Sequence, residues 1–148
     1  MANKMRNGGD CKLYRNSGSY ASPTWNLIDN VEDLSMPMSK GAGEFKTRGR
    51  KFILKRGAKI DAGVEFTLVV DKGDDDLSVL RDAFLNGTVV EFAIMDEAIA
   101  TVGAEGLRLA CEVLEFPIDQ PLEDKQSVAV KLAPGISDND PAWLITPP

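Results

Sequence analysis

The sequence predicts a mainly β fold: two packed antiparallel sheets, a sandwich or barrel, with one flanking α-helix. Three observations carry that prediction. Four stretches alternate apolar and polar residues with a period of two, as strands half-buried against a core do. One stretch, "DDDLSVLRDAFLNG", changes to a 3.6-residue period between an acidic start and an Asn-Gly stop. The chain has 148 residues, 43% of them hydrophobic and 27% charged, which is the size and composition of one soluble globular domain.

The elements follow in order. "MANKMRNGGD" is polar and lacks the apolar core of a signal peptide, so residues 1–10 read as a flexible arm. "CKLYR" (11–15) and "NLIDNVEDLSMPM" (26–38) read as strands, with Pro37 marking an edge or a loop entry. A long loop is expected over about 36–52. "VEFTLVVD" sets Phe66, Leu68 and Val70 opposite Glu65, Thr67 and Val69. In the helix, Asp74, Asp75 and Asp76 stand where carboxylates cap free N–H groups. Leu77, Leu80 and Phe84, with Val79 and Ala83 beside them, form its apolar stripe, and Asn86-Gly87 ends it. "TVVEFAIMD", "GLRLACEVLEF" and "SVAVKLA" supply three more strands, and Pro134-Gly135 breaks the last. The domain is thus expected over 11–134, with a C-terminal tail at 135–148. In that tail Trp143, Leu144 and Ile145 form an apolar plug that either tucks against its own domain or docks on a neighbour.

Composition narrows function. The chain has no histidine, which removes Ser-His and Cys-His pairs, most zinc sites and the usual general base near neutral pH. Carboxylate-only, lysine-based or cofactor-borne chemistry is the enzymatic possibility left, and no catalytic residue is assigned. Cys11 and Cys111 lie in apolar-patterned stretches and read as buried free thiols. No apolar run approaches the roughly 18–20 residues that span a bilayer. "DKGDDD" (71–76) misses the EF-hand spacing and reads as helix capping, and "SDNDP" (137–141) as a solvated turn. "KGAGEF" and "VGAEG" lack the context of a phosphate loop and read as loop glycines. No metal or cofactor is expected.

Charge is the feature that asks for a function. "SKGAGEFKTRGRKFILKRGAK" (39–59) holds eight lysines and arginines and one acid, Glu44, so it carries about +7. The whole chain is −6, which leaves the remainder at about −13. An arm for nucleic acid would have more aromatics than Phe45 and Phe52, and the acidic remainder repels a polyanion. A membrane-surface helix would be broken at Gly49 and Gly57. An ordinary solvated hairpin is the plain reading. The alternative that uses both signs has the basic segment of one copy meeting the acidic surface of another, a heterologous contact that repeats into rings or filaments.

The longest run of pattern, "GVEFTLVVDKGDDDLSVLRDAFLNGTVVEFAIMD", resembles the tail tube proteins of long-tailed bacteriophages. A strand ends in Asp, a short L-x-x-L-x-x-A-F helix closes on Asn-Gly, and a V-x-F-x-I strand starts at once. "GLRLACEVLEFPIDQPLEDKQSVAVKLAP" is similar to the family's closing pair, with a polar turn around Pro121-Leu122-Glu123-Asp124, and "CKLYRNSGSYASPTWNLIDNVEDLSM" to its opening. The resemblance spans about 11–134. It implies a structural virion protein whose hexameric rings stack into a tube around a channel. The tube assembles on a tape-measure protein, meets terminator and tip proteins, and passes DNA without specific binding. It also implies a location in the phage tail, and in the host cytoplasm during assembly.

In that family a long loop between early strands reaches the next ring. Lys40, Lys46, Arg48, Arg50, Lys51, Lys55 and Arg56 are the corresponding candidates for an inter-ring interface. Glu91, Glu112 and Glu115 are candidates for a DNA-repelling lumen, outer solvent-facing positions being their other reading. The runner-up function is a monomeric β-sandwich tail-completion or head–tail adaptor protein.

Overall fold

In the computed structural model the strands are β1 (Lys12–Asn16), β2 (Trp25–Leu27), β3 (Val31–Ser35), β4 (Met38–Phe45), β5 (Leu54–Ala62), β6 (Val64–Val69), β7 (Val89–Met95), β8 (Glu105–Glu115), β9 (Ile118–Asp119), β10 (Ser127–Pro134) and β11 (Ala142–Ile145), with an α-helix, α1 (Asp75–Asn86), and a short 3-10 turn at Gly8–Asp10. The described residues are Met5, 8–71, 73–120, Leu122 and 124–148. Most of the arm expected over 1–10 therefore lies outside them, as do Lys72 of the acidic loop and Pro121 and Glu123 of the polar turn.

Every strand pairing is antiparallel. The large sheet runs β2-β1-β7-β8-β10-β6-β3, with β11 added to β8 and β9 to β10. Its curvature follows from connectivity. β2 and β3 are its two ends, and four peptide steps, about 15 Å of chain at most, join Leu27 to Val31. A flat sheet of seven strands would hold those ends about 29 Å apart at the usual interstrand spacing. The sheet must therefore roll until its ends meet. The residues between them are fixed accordingly: Ile28 N donates to Leu13 O at 3.0 Å, and Val69 N donates to Asn30 O at 2.8 Å. The long β8 joins the two layers, pairing with β11 through Glu105–Arg108 and with β10 through Cys111–Glu115.

One face of β6, β7, β8 and β10, with Leu13 of β1, fills the interior. Leu13, Phe66, Leu68, Phe92, Leu109, Val128 and Leu132 are buried there with Leu80 of α1. The mainly β, antiparallel architecture with a flanking helix is the one the period-two pattern predicts. The stretch 26–38 is not one strand: Asp29 and Asn30 turn between β2 and β3, which lie at opposite ends of the sheet.

The acidic run before the helix divides into separate tasks. Asp74 is the N-cap, its Oδ1 accepting from Asp76 N at 3.0 Å. Asp71 Oδ1 accepts from Gly73 N in the preceding turn. Asp76 does more than cap. It is buried, and Arg15 Nε of β1 donates to it at 2.8 Å, tying the helix to the sheet. Gly87 ends the helix at φ 68°, where a Cβ is disfavoured. Phe84 sits at the margin of the stripe, partly exposed, and stacks on Phe116 with centroids 6.1 Å apart.

Two further expectations change. Cys111 is buried, but Cys11 is exposed, because it precedes β1 and stands outside the alternation that fills the core. "KGAGEF" is no loop: Gly41 and Gly43 lie in β4, with a register slip between Lys40 and Ala42. Of "VGAEG", Gly103 is a turn residue at φ 85°, whereas Gly106 lies within β8. Among the described residues no helix is long and apolar enough to cross a membrane.

Candidate assembly interface

The basic stretch expected as a loop is a two-stranded hairpin that forms its own sheet, β4 against β5. Eight residues of β4 at about 3.3 Å each make it about 26 Å long. From Met38 to Asp61 every residue is exposed. Its root is held where Gly63 N donates to Pro37 O at 3.0 Å.

The hairpin displays all the predicted cations. Lys40 lies on β4, Lys55 and Arg56 on β5, and Lys46, Arg48, Arg50 and Lys51 at the tip between the strands. Glu44 faces Lys55 across the ladder and lies 4.0 Å from it and 3.9 Å from Lys46. Among the described residues Arg48, Arg50, Lys51 and Arg56 have no ion-pair partner. Beside these charges stand exposed apolar side chains that the sequence reading did not single out as a group: Phe45, Phe52, Ile53, Leu54 and Ile60, Phe52 being 80% exposed. An isolated two-stranded hairpin is marginal in water, and this one adds uncovered apolar surface.

The three candidate lumen carboxylates share the face of the sheet that points away from the core, but their states differ. Glu91 accepts from Arg108 Nε at 2.5 Å and from Asn16 Nδ2 at 3.1 Å, both side chains of the ion pair being nearly covered. It is neutralised, and the burial that prevents it from acting as an exposed charge was invisible in its alternation. Glu112 is half-buried. Glu115 is exposed, and it reaches the outer face only because Leu114 is an extra residue in β8: Val113 pairs with Leu132 and Glu115 with Lys131. Strict alternation would place Glu115 on the core side with Val113.

Arg108 is a residue the sequence reading passed over. Its guanidinium lies 3.9 Å from the Tyr20 ring centroid and 5.1 Å from that of Trp25, and its Nη2 donates to Tyr20 O at 2.7 Å. The signal was present, an arginine and a glutamate on two adjacent strands, but their diagonal pairing, with Ala110 opposite Glu91 and Ala93 opposite Arg108, is not readable before register is known.

The C-terminal plug is docked in part. Leu144 packs with Tyr14, Met95 and Ala104 on the outer face, while Trp143 and Ile145 remain exposed. Thr146 Oγ1 donates to Ile99 O at 2.7 Å and closes that corner.

No family model and no curated protein matches the chain. Solved structures do. A chain from the tail of an empty gene transfer agent (GTA) particle, determined with C6 symmetry, superposes with a TM-score of 0.72 at 14% identity, covering 96% of this chain and 99% of that one. The SPP1 tail tube gives a TM-score of 0.72 at 15% identity over 87% of this chain and 75% of that one. The chain has a tail-tube fold. A sheath/tube terminator of an extracellular contractile injection system, PVC, in its extended state shares it, with a TM-score of 0.68 at 8% identity over 97% and 99%. The tail-tube fold thus covers more of the chain than the 11–134 stretch that carries the sequence resemblance.

Proposed function

We propose that the chain is the major tail tube subunit of a phage or phage-derived particle, and that it works by assembly rather than catalysis. Hexameric rings stack into a tube that assembles around a tape-measure protein, ends at terminator and tip proteins and conducts DNA. Its place is the virion tail, reached from the host cytoplasm.

The observation that carries this reading is the β4–β5 hairpin. It is exposed from Met38 to Asp61, carries +6 on a body of −12, and bears apolar side chains that an isolated subunit leaves in water. Lys40, Lys46, Arg48, Arg50, Lys51, Lys55 and Arg56 dock one ring on the next. Opposite charges on two different patches of one chain favour a heterologous, repeating contact. Glu112 and Glu115, with Glu91 neutralised by Arg108, leave the outer sheet face weakly anionic, which suits a wall that phosphates pass without sticking.

A second reading, a tail-completion or head–tail adaptor that stays monomeric, is favoured by the likeness to the terminator. Negative-stain electron microscopy of the purified chain separates them. Hollow tubes or six-fold rings are expected. Single subunits at every concentration, even with a tail-tip fraction added as initiator, would favour the adaptor.

A further inference from the structure

The hairpin root and the β2–β3 turn of the body lie at opposite ends of β6. β6 links them: it follows Gly63, bonded to Pro37 at the root, and ends at Val69, bonded to Asn30 in the β2–β3 turn. Six residues of extended chain set those points about 20 Å apart. From the pole of that turn a groove of about 570 Å³ opens between β1, β2 and β3 and runs along β3 to Leu34. Leu13, Ile28, Val31 and Leu34 line its floor, and Asp29, Glu32 and Asp33 stand on its rim. The loop after β6 brings exposed Asp71 and Asp75 to the same pole, since Asn30 Nδ2 donates to Asp74 Oδ2 at 3.1 Å. Among the described residues the cations facing this region are Lys12, which lines the groove, and Lys125, whose Nζ lies 3.0 Å from Glu32.

We propose that this groove is the socket for the hairpin tip of a second copy of the chain. Phe52 enters between Val31 and Leu34, and Arg48, Arg50 and Lys51 meet Asp29, Asp33 and the acids of the neighbouring loop. The complementarity is double, apolar against apolar and cationic against acidic. Because tip and groove are different surfaces of the same chain, the contact is heterologous and repeats head to tail. The inference rests on the tube reading and names the receiving surface that this reading leaves open.

Cys11 lines the groove and gives the test a native handle, while Cys111 is buried. Phe52→Cys and, separately, Ile53→Cys are assembled and treated with a bismaleimide, in chains with Cys11 and in chains with Cys11→Ser. The expected result is a ladder of covalent multimers that needs both the new cysteine and Cys11. The second variant covers the loss of Phe52 itself. Tubes that form normally but give no Cys11-dependent ladder with either variant would overturn the socket and leave the tube reading standing. Failure of the unmodified chain to form tubes under any condition would remove that reading and the socket with it.

Discussion

Arg108 and Glu91 form an ion pair at 2.5 Å on the outer face of β7 and β8, with Arg108 also lying under the Tyr20 ring. The pair sits on two adjacent strands and is nearly covered by the 17–24 segment and β2. Removing one partner leaves the other charge desolvated and alone. Arg108→Ala should cost about 2–4 kcal/mol, because it also loses the aromatic contacts and the bond to Tyr20 O. Glu91→Gln keeps the shape and should cost less, about 1–2 kcal/mol. Urea unfolding of both variants gives the order, and equal costs would mean that the charge pair, not the arginine's packing, holds this corner.

Asp76 gives a pH dependence of unusual sign. Burial pushes its carboxyl above the ordinary 3.8, more than the nearby Arg15 guanidinium pulls it down. A carboxyl raised in the folded state binds its proton more tightly there than in the unfolded chain. Its own contribution to stability therefore grows as pH falls through the folded value toward 3.8, opposite to a carboxylate held down by its partner. Asp76→Asn should remove that gain. The stability difference between wild type and Asp76→Asn, followed across this window, should shift in favour of the wild type as pH falls, and a shift the other way would show that Arg15 prevails.

The two thiols should differ sharply. Burial pushes the Cys111 thiol up to about 12, so little thiolate exists near neutral pH and reagent cannot reach it, whereas Cys11 is exposed. One equivalent per chain should react quickly in the native protein and the second only on unfolding. Loss of the fast equivalent in Cys11→Ser assigns it.

Two glycines should respond by different amounts. A Cβ at Gly106 would stand 1.7 Å from Ile94 O, inside the backbone of the neighbouring strand. Gly106→Ala must push β7 and β8 apart where β11 also joins, and should cost about 3 kcal/mol or more. At Gly87 a Cβ would meet only Glu112 Oε1, at an ordinary contact distance of 3.9 Å, and the left-handed backbone is what resists, so Gly87→Ala should cost about 1 kcal/mol. Thermal melts compare the two directly.

What could be read in the sequence was what depends on local period. The strands around Phe66, Phe92, Leu109 and Val130 alternate cleanly, and Asp74 and Gly87 bracket a helix whose apolar stripe includes Leu80 and Ala83. What could not be read depends on partners far away in the chain. Asp76 looks like a third capping acid until β1 brings Arg15 to it, 61 residues away. Glu91 looks like a surface charge until β8 brings Arg108. Glu115 changes face because of one extra residue, Leu114, which leaves no mark in composition. The basic stretch was legible as a charge anomaly, but its glycines disguised two strands as a loop, and its apolar side chains showed their exposure only when the hairpin stood clear of the core.

The central claim is that the hairpin cations join copies of the chain. Sedimentation velocity on wild type and on Arg48→Glu/Arg50→Glu/Lys51→Glu, at low salt and near 1 M, tests it most directly. All three positions are exposed, so the variant should keep its fold within about 0.5 kcal/mol. The account predicts large wild-type species at low salt, their dissolution near 1 M, where charges are screened beyond about 3 Å, and no species beyond single rings for the variant. A wild type that sediments as a 16.1 kDa monomer throughout, or a variant that elongates as the wild type does, would contradict it.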